Sequence, residues 1–298
     1  MPGSAPAREA AVSTPPTRLS VVEGSPEVDP RNSLNELTGG EWLYFTKSVI
    51  TTAYPPELGH DMRKAHGACK PPRLMKELIE FFTKADGLVL DPFAGVGGTL
   101  LGASICSPPR RAVGIEINPR WIDVYAEVCQ REGVAPAEIH LGDCREAMAR
   151  MEAGSFDFIA TDPPYNVHLE RTMCNGVYDA THSNRRTDYD MRSDDPADLA
   201  NLDTFDTYLS GMREVFGECL RVLAPKAYMA VIVRNAYQNG RYIYTNIRLA
   251  EAAESVGFVL KGEKVWYQAG TRLRPYGYPF AYVPNIAHQY IVILQKPR

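Results

Sequence analysis

Two apolar periods alternate along the chain. Short runs at 88–90, 111–116, 138–141 and 156–161 have the length and the turn-bounded ends of buried strands. Between them the spacing changes to a helical one, at 73–84 (Leu74, Leu78, Ile79, Phe81, Phe82), 119–132 and 145–151. Helix 205–223 (Phe205, Tyr208, Leu209, Met212, Val215, Phe216, Leu220), strand 227–233 and helix 246–256 continue the alternation, and strands 258–267 and 287–295 close it. Strands separated by helices require parallel crossovers, so the predicted fold is α/β, a doubly wound and mostly parallel sheet.

The remaining stretches fit around this frame. Residues 1–31 are rich in Pro, Ser, Ala and Glu without an apolar period, and are expected to form a disordered tail ahead of one domain at 32–298. Thr38 and Glu41 have the spacing of a capping box, opening a helix through Trp42, Phe45 and Val49. Those aromatics suit core packing or a lid. Residues 53–72 read as loop, with His66-Gly67-Ala68-Cys69-Lys70-Pro71-Pro72 at its end. A polar stretch from Asn166 to Leu202 has little periodicity, and a loop of that length in a compact domain is usually functional or disordered.

Composition adds a few bounds. The 298 residues are 45% hydrophobic and 23% charged, ordinary for a soluble globular protein. Neither a membrane span nor a signal-peptide core is visible, and a cytoplasmic protein is expected. Six cysteines (69, 106, 129, 144, 174, 219) form no Cys-x-x-Cys pair, so no metal site is expected. The formal charge of −4 does not announce a nucleic-acid partner, although Arg171, Arg185, Arg186 and Arg192, and Arg272 with Arg274, could form local basic patches or simply solvated faces.

Two stretches carry chemistry. Leu88-Val89-Leu90-Asp91-Pro92-Phe93-Ala94-Gly95-Val96-Gly97-Gly98-Thr99 reads as a strand, a glycine-rich turn and a helix start, where the backbone can approach a ligand closely. It lacks the Lys-Ser/Thr of a phosphate loop and the strict dinucleotide spacing, which argues against a nucleoside triphosphate or NAD. The next strand ends in Glu116, placed to accept hydrogen bonds from a ribose, and the third ends in Gly142-Asp143. The second stretch is Thr161-Asp162-Pro163-Pro164-Tyr165 at the end of strand 156–161. Neither proline has an N–H, so the turn is stiff and offers a carboxylate, free carbonyls and an aromatic ring at a strand's carboxyl end.

In this order, Asp91-Pro92-Phe93-Ala94-Gly95-Val96-Gly97, Glu116, Asp143 and Asp162-Pro163-Pro164-Tyr165 resemble the cofactor site and catalytic motif of the S-adenosylmethionine-dependent DNA amino-methyltransferases. The resemblance covers roughly 34–296 and implies a seven-stranded class I (Rossmann-like) methyltransferase sheet with an antiparallel last strand. It also implies transfer of a methyl group from S-adenosyl-L-methionine to an exocyclic amine in DNA, adenine N6 or cytosine N4, on a flipped-out base. Asp91, Phe93, Gly95 and Gly97 would wrap the methionine moiety, with Lys70 and Pro71 lining its end, Glu116 on the ribose and Asp143 on the adenine amine. Asp143 also suits an ordinary turn, and Lys70 an ordinary helix entry.

An aromatic amine is a poor nucleophile because its lone pair is delocalised into the ring. Asp162 and the Pro163 carbonyl would accept its two N–H groups and stabilise the growing positive charge, while Tyr165 stacks on the base. Cytosine-N4 and RNA remain alternative substrates, and a catalytically silent nucleic-acid-binding subunit is a third reading. Asp at the head of the turn favours adenine, since cytosine-N4 enzymes more often have Ser there. The chain has no obvious separate recognition domain, so target reading would fall to 166–202, the loop 270–285, the N-terminal segment, or a partner subunit; a homodimer is also open. The family's late His-Glu-Tyr-Ile appears as His288-Gln289-Tyr290-Ile291, which leaves His288 without an assigned role.

Overall fold

The computed structural model describes residues 27–164, 193–238 and 240–298. In chain order the elements are α1 (Gly39–Phe45), β1 (Val49–Ile50), α2 (His60–Arg63), α3 (Pro72–Phe82), β2 (Leu88–Asp91), α4 (Gly98–Ser104), β3 (Arg111–Glu116), α5 (Pro119–Glu132), β4 (Glu138–Leu141), α6 (Cys144–Ala149) and β5 (Phe156–Thr161). After the undescribed stretch come α7 (Phe205–Val222), β6 (Leu223–Val233), β7 (Ala236–Gln238), β8 (Arg241–Ile243), α8 (Thr245–Ser255), β9 (Val259–Tyr267) and β10 (His288–Gln295).

The main sheet has the order β1-β9-β10-β6-β5-β2-β3-β4. Strands β2 to β6 are parallel, and β10 runs antiparallel to both β6 and β9. All seven expected strands are present. An eighth, β1, extends the sheet by pairing with β9, and the Ser48 carbonyl accepts the Val265 N–H at 2.7 Å. This corrects the helix expected to run through Val49: α1 stops at Phe45 because the chain is captured by the open edge of β9. The expected capping box is formed, with Thr38 and Glu41 each accepting the other's backbone N–H.

Alternate strand residues enter two cores. Val89, Phe158, Ala160 and Ile232 face α3, α4 and α5, whereas Leu90, Ile159 and Val231 face α6, α7 and α8. Both faces are buried along most of their length, which is why these strands read as mainly apolar runs, broken in β5 only by the exposed Asp157. Phe82 stacks on Phe158 with ring centroids 5.0 Å apart and meets Tyr228 at 4.9 Å. The chain winds outward from β2 through β3 to β4 and then returns to the other side of β2 with β5. A topological switch point therefore lies between the carboxyl ends of β2 and β5, where open α/β sheets bind ligands.

Three segments depart from expectation. The loop expected at 53–72 contains the single-turn α2 and a 3-10 turn at 64–66, too short to show a period. Residues 234–244 hold the β7–β8 ribbon. The end of the long polar stretch is folded onto the domain: Asp198 accepts the Ser193 and Ala200 N–H groups, and Leu199 is buried against Gly211 of α7. Of the expected tail, 1–26 lies outside the described residues; beyond it Asn35 is fully buried, donating to the Phe81 carbonyl at 2.6 Å.

Phe158 sits in the strand that delivers the Asp162 turn, so its packing positions that turn. Phe158→Ala is expected to lower unfolding free energy by about 3–5 kcal/mol, through lost transfer energy and an unfilled cavity. Denaturant titration would show this as a lower midpoint; an unchanged midpoint would mean that the β5 core is not what holds the strand.

Candidate active site

The centre of the switch point is the Asp91 carboxylate at the end of β2, only 3% exposed. One oxygen accepts the Thr161 hydroxyl at 2.8 Å and the Phe93 N–H at 3.1 Å, and the other accepts the Thr99 hydroxyl at 2.5 Å. Thr99 also reaches the Ala160 carbonyl at 3.3 Å. The glycine-rich turn, the first turn of α4 and the last residue of β5 are thus pinned to one buried group. Burial pushes the Asp91 carboxyl up to about 6, against the pull of these three hydrogen bonds.

Beside it opens a small cleft lined by Lys70, Asp91, Phe93, Gly95, Thr99 and Asp162, with His66 forming part of its wall. Gly95 has φ 51°, and a Cβ there would lie 3.4 Å from His66 Nε2, so a side chain would take up the floor of the cleft. Gly97, with φ 76°, is required by packing: a Cβ would lie 2.1 Å from the Tyr125 ring. Lys70 enters just ahead of α3, where Pro71 is the N-cap residue and Pro72 occupies the first helical position. Its ammonium group forms an ion pair with the Asp162 carboxylate and donates to the Ala68 carbonyl at 3.3 Å. Pro163 is buried and Pro164 half-buried.

Along the same edge, Glu116 ends β3 and accepts the Gly95 N–H at 2.7 Å and the Asn118 N–H at 2.8 Å. Burial pushes its carboxyl up to about 7 despite those two bonds. Asp143, one strand further, caps α6 through the Arg145 N–H at 2.8 Å and holds the Arg145 guanidinium, its two oxygens 2.7–3.1 Å from the donors. Arg145 in turn bonds Glu214 at 2.8 Å. Lys70, Asp91, Phe93, Gly95 and Asp162 are therefore brought onto one cleft, Gly97 and Glu116 buttress its turn, and Asp143 stands apart with its carboxylate engaged. Arg272 and Arg274 lie on the β9–β10 loop. Tyr165, Arg171, Arg185, Arg186 and Arg192 lie outside the described residues.

Four residues enter the site without having been assigned a role there. Thr99 and Thr161 complete the Asp91 cluster. Arg63, 1% exposed, donates to the carbonyls of Val96 at 3.2 Å and Lys70 at 2.6 Å, tying the glycine-rich turn to the Lys70 segment. His66 packs edge-on to Trp121 at 4.7 Å, and its Nδ1 has no hydrogen-bond partner among the described residues. Burial, then the charges of Lys70 and Arg63, pulls its pKa down to about 4, so the ring is neutral near pH 7. Only the position of His66 in the segment ahead of Lys70 hinted at it.

Residues 32–127 and 156–298 match the model of a family described as DNA methylase, of the N6/N4 methyltransferase type, and the chain belongs to that family. A tRNA (guanine(10)-N2)-dimethyltransferase of Pyrococcus abyssi is 30% identical over 103 residues, which are 35% of this chain and 30% of that protein. The type II methyltransferase M.HindIII of Haemophilus influenzae is 51% identical over 53 residues, 18% of this chain and 16% of that one. The match thus spans less than a third of either relative. Among solved structures, TrmN of Thermus thermophilus aligns over 81% of this chain and 48% of its own at 16% identity, with a TM-score of 0.44.

S-adenosylmethionine is the cofactor that this membership brings, and the walls of the cleft fit it. They combine a floor without a Cβ, the Phe93 ring, and the paired Lys70 ammonium and Asp162 carboxylate.

The raised Glu116 pKa has a consequence for stability. A carboxyl whose folded pKa exceeds its ordinary 4.5 contributes stability that is complete below that value and is lost as pH rises through about 7. Glu116→Gln has no such proton to lose. Its stability relative to the native protein should therefore improve between pH 5 and pH 8, by on the order of 1–3 kcal/mol. Thermal unfolding of both proteins at the two pH values reads this directly, and a difference independent of pH would contradict it.

Proposed function

We propose that the protein transfers a methyl group from S-adenosylmethionine to the exocyclic N6 amine of adenine in DNA, acting on a base turned out of the duplex. The observation that carries this reading is the opening of the Asp162 carboxylate into the same cleft as the glycine-rich turn, with its neighbour Thr161 bonded to Asp91. Bound there, S-adenosylmethionine supplies an electrophilic methyl group on a sulfonium. The protein's part is positioning and electrostatics: acceptors from Asp162 and the Pro163 carbonyl take the two amine N–H groups and draw the lone pair out of the ring. Pro164 stiffens the turn, and Tyr165 stacks on the base. Lys70 balances the charge of Asp162 until an amine competes for that carboxylate.

On the cofactor side, Asp91, Phe93, Gly95, Gly97, Lys70 and Pro71 would surround the methionine portion, Glu116 would meet the ribose, and Asp143 would meet the adenine if Arg145 gives way. Arg171, Arg185, Arg186 and Arg192, with Arg272 and Arg274, would contact the nucleic acid. Asp at the head of the turn supports adenine over cytosine. The relatives that act on tRNA support RNA as a second reading, since guanine N2 is also an exocyclic amine needing its lone pair localised. A cytoplasmic location, and either a homodimer or a recognition subunit, belong to the same proposal.

Incubation with genomic DNA and with total RNA, followed by nucleoside mass spectrometry, tests the substrate. N6-methyldeoxyadenosine is expected; N4-methyldeoxycytidine or label confined to RNA would overturn that assignment. Asp162→Asn, which leaves the Lys70 ammonium an acceptor, should bind S-adenosylmethionine within a few-fold of the native protein while losing turnover by about a hundredfold or more. Retained turnover would place the reaction centre elsewhere.

A further inference from the structure

The loop between β9 and β10 carries the most exposed large apolar side chains of the described residues: Phe280 is 90% exposed, Tyr282 85%, Tyr278 79% and Leu273 69%. Such side chains usually lie scattered, and a cluster of them marks a surface that meets something. The loop is also built to hold its shape. At its base Gln268 donates to the Ala287 carbonyl at 2.8 Å, and the Arg234 guanidinium donates to the Ile286 carbonyl. Further out, Asn285 accepts the Arg274 N–H and donates to the Arg274 carbonyl, both at 2.8 Å. Inside that neck the N–H groups of Phe280 and Ala281 both bond the Gly277 carbonyl at 2.7 Å. A Cβ on Gly277, which has φ 75°, would lie 2.3 Å from the Ala281 carbonyl oxygen, so the turn closes only with glycine there.

Its place in the fold says what it faces. Because β10 is antiparallel to both β6 and β9, β9 runs in the same direction as β5 and β6. Tyr267, its last residue, therefore lies at the sheet edge that carries Asp162, three strands away. At the usual strand spacing that is roughly 15 Å. A nucleic acid presenting a base to Asp162 must pass along this edge.

We propose that Tyr278, Phe280 and Tyr282 form a stacking surface for the unpaired nucleobases flanking the extruded target, with Arg272 and Arg274 meeting the adjoining phosphates. The chemistry is that of aromatic faces beside cationic side chains, which suits bases and phosphates together. Opening a duplex leaves bases without stacking partners, and an aromatic lobe whose backbone is already hydrogen-bonded replaces those partners at the cost of ordering only its side chains. The assignment rests on the reading of the protein as a nucleic-acid methyltransferase, and adds where the opened strand is held.

The test uses the full-length protein and fluorescence anisotropy with three probes: mixed-sequence single-stranded DNA, the same sequence as a perfect duplex, and a duplex with a central unpaired bubble. The variants are Tyr278→Ala/Phe280→Ala/Tyr282→Ala and the aromatic-retaining Tyr278→Phe/Phe280→Tyr/Tyr282→Phe. All three side chains are exposed, so melting temperature and S-adenosylmethionine affinity should match the native protein. The alanine variant should lose at least about tenfold affinity for the single-stranded and bubble probes. The slope of log Kd against log salt should stay unchanged, because no phosphate contact is removed. The aromatic-retaining variant should bind normally.

Unchanged affinity of the alanine variant, or an equal loss in the aromatic-retaining one, overturns the stacking surface while leaving the methyltransferase reading intact. Sedimentation showing that the alanine substitutions only split a dimer would overturn it as well, making the lobe a contact between copies. A native protein that binds none of the probes, and no RNA, would instead take down the functional reading itself.

Discussion

One buried carboxylate holds the site together. Asp91 accepts hydrogen bonds from the turn behind β2, from the start of α4 and from the end of β5, the last of these 70 residues away in sequence. A carboxylate is costly to bury, and three donors offset that cost only when all are in place. The cluster therefore couples the glycine-rich turn to the Asp162 turn: neither can shift far without leaving a buried acceptor short of a partner. The surroundings extend this coupling through Arg63, which fastens the glycine-rich turn to the Lys70 segment, and through Glu116, which holds the Gly95 N–H.

The charges around the cleft are arranged in the same spirit. Asp162 faces Lys70, Asp143 faces Arg145, and the carboxyl groups of Asp91 and Glu116 are pushed toward neutrality by burial. The neutral His66 keeps a buried Nδ1 that has no hydrogen-bond partner among the described residues. Overall acidity, at a formal charge of −4, sits beside local cations at Lys70 and on the β9–β10 loop. Net charge was thus a poor guide to what the carboxyl edge of the sheet presents.

Much of the frame could be read from the chain alone because both faces of the central strands are buried. That makes β2, β3 and β5 short, mainly apolar runs, broken in β5 by the exposed Asp157, and β3, β4, β5 and α5 begin and end where the periods change. The pairing of a glycine-rich turn with an Asp-Pro-Pro turn likewise placed Asp91, Gly95 and Asp162 on one cleft. What escaped were features set by tertiary contact. Val49 leaves its helix because β9 offers an unpaired edge, and α2 exists because Arg63 is drawn into the core. The grip of Arg145 on Asp143 depends on a side-chain rotamer that no spacing encodes. Thr99 and Thr161 belong to this group too, since a threonine beside a strand end is commonplace until a buried acceptor lies within reach.

The Asp91 cluster fixes the Asp162 turn relative to the glycine-rich turn. Thr161→Val probes it most directly, because the change keeps the side chain's shape and removes only the bond from β5 to Asp91. Calorimetric titration with S-adenosylmethionine, alongside single-turnover methylation, should show affinity within a few-fold of the native protein and a rate lowered by roughly tenfold or more, as expected for a misplaced reacting group. An unaltered single-turnover rate in a properly folded variant would mean that the Thr161–Asp91 bond does not set the position of the Asp162 turn.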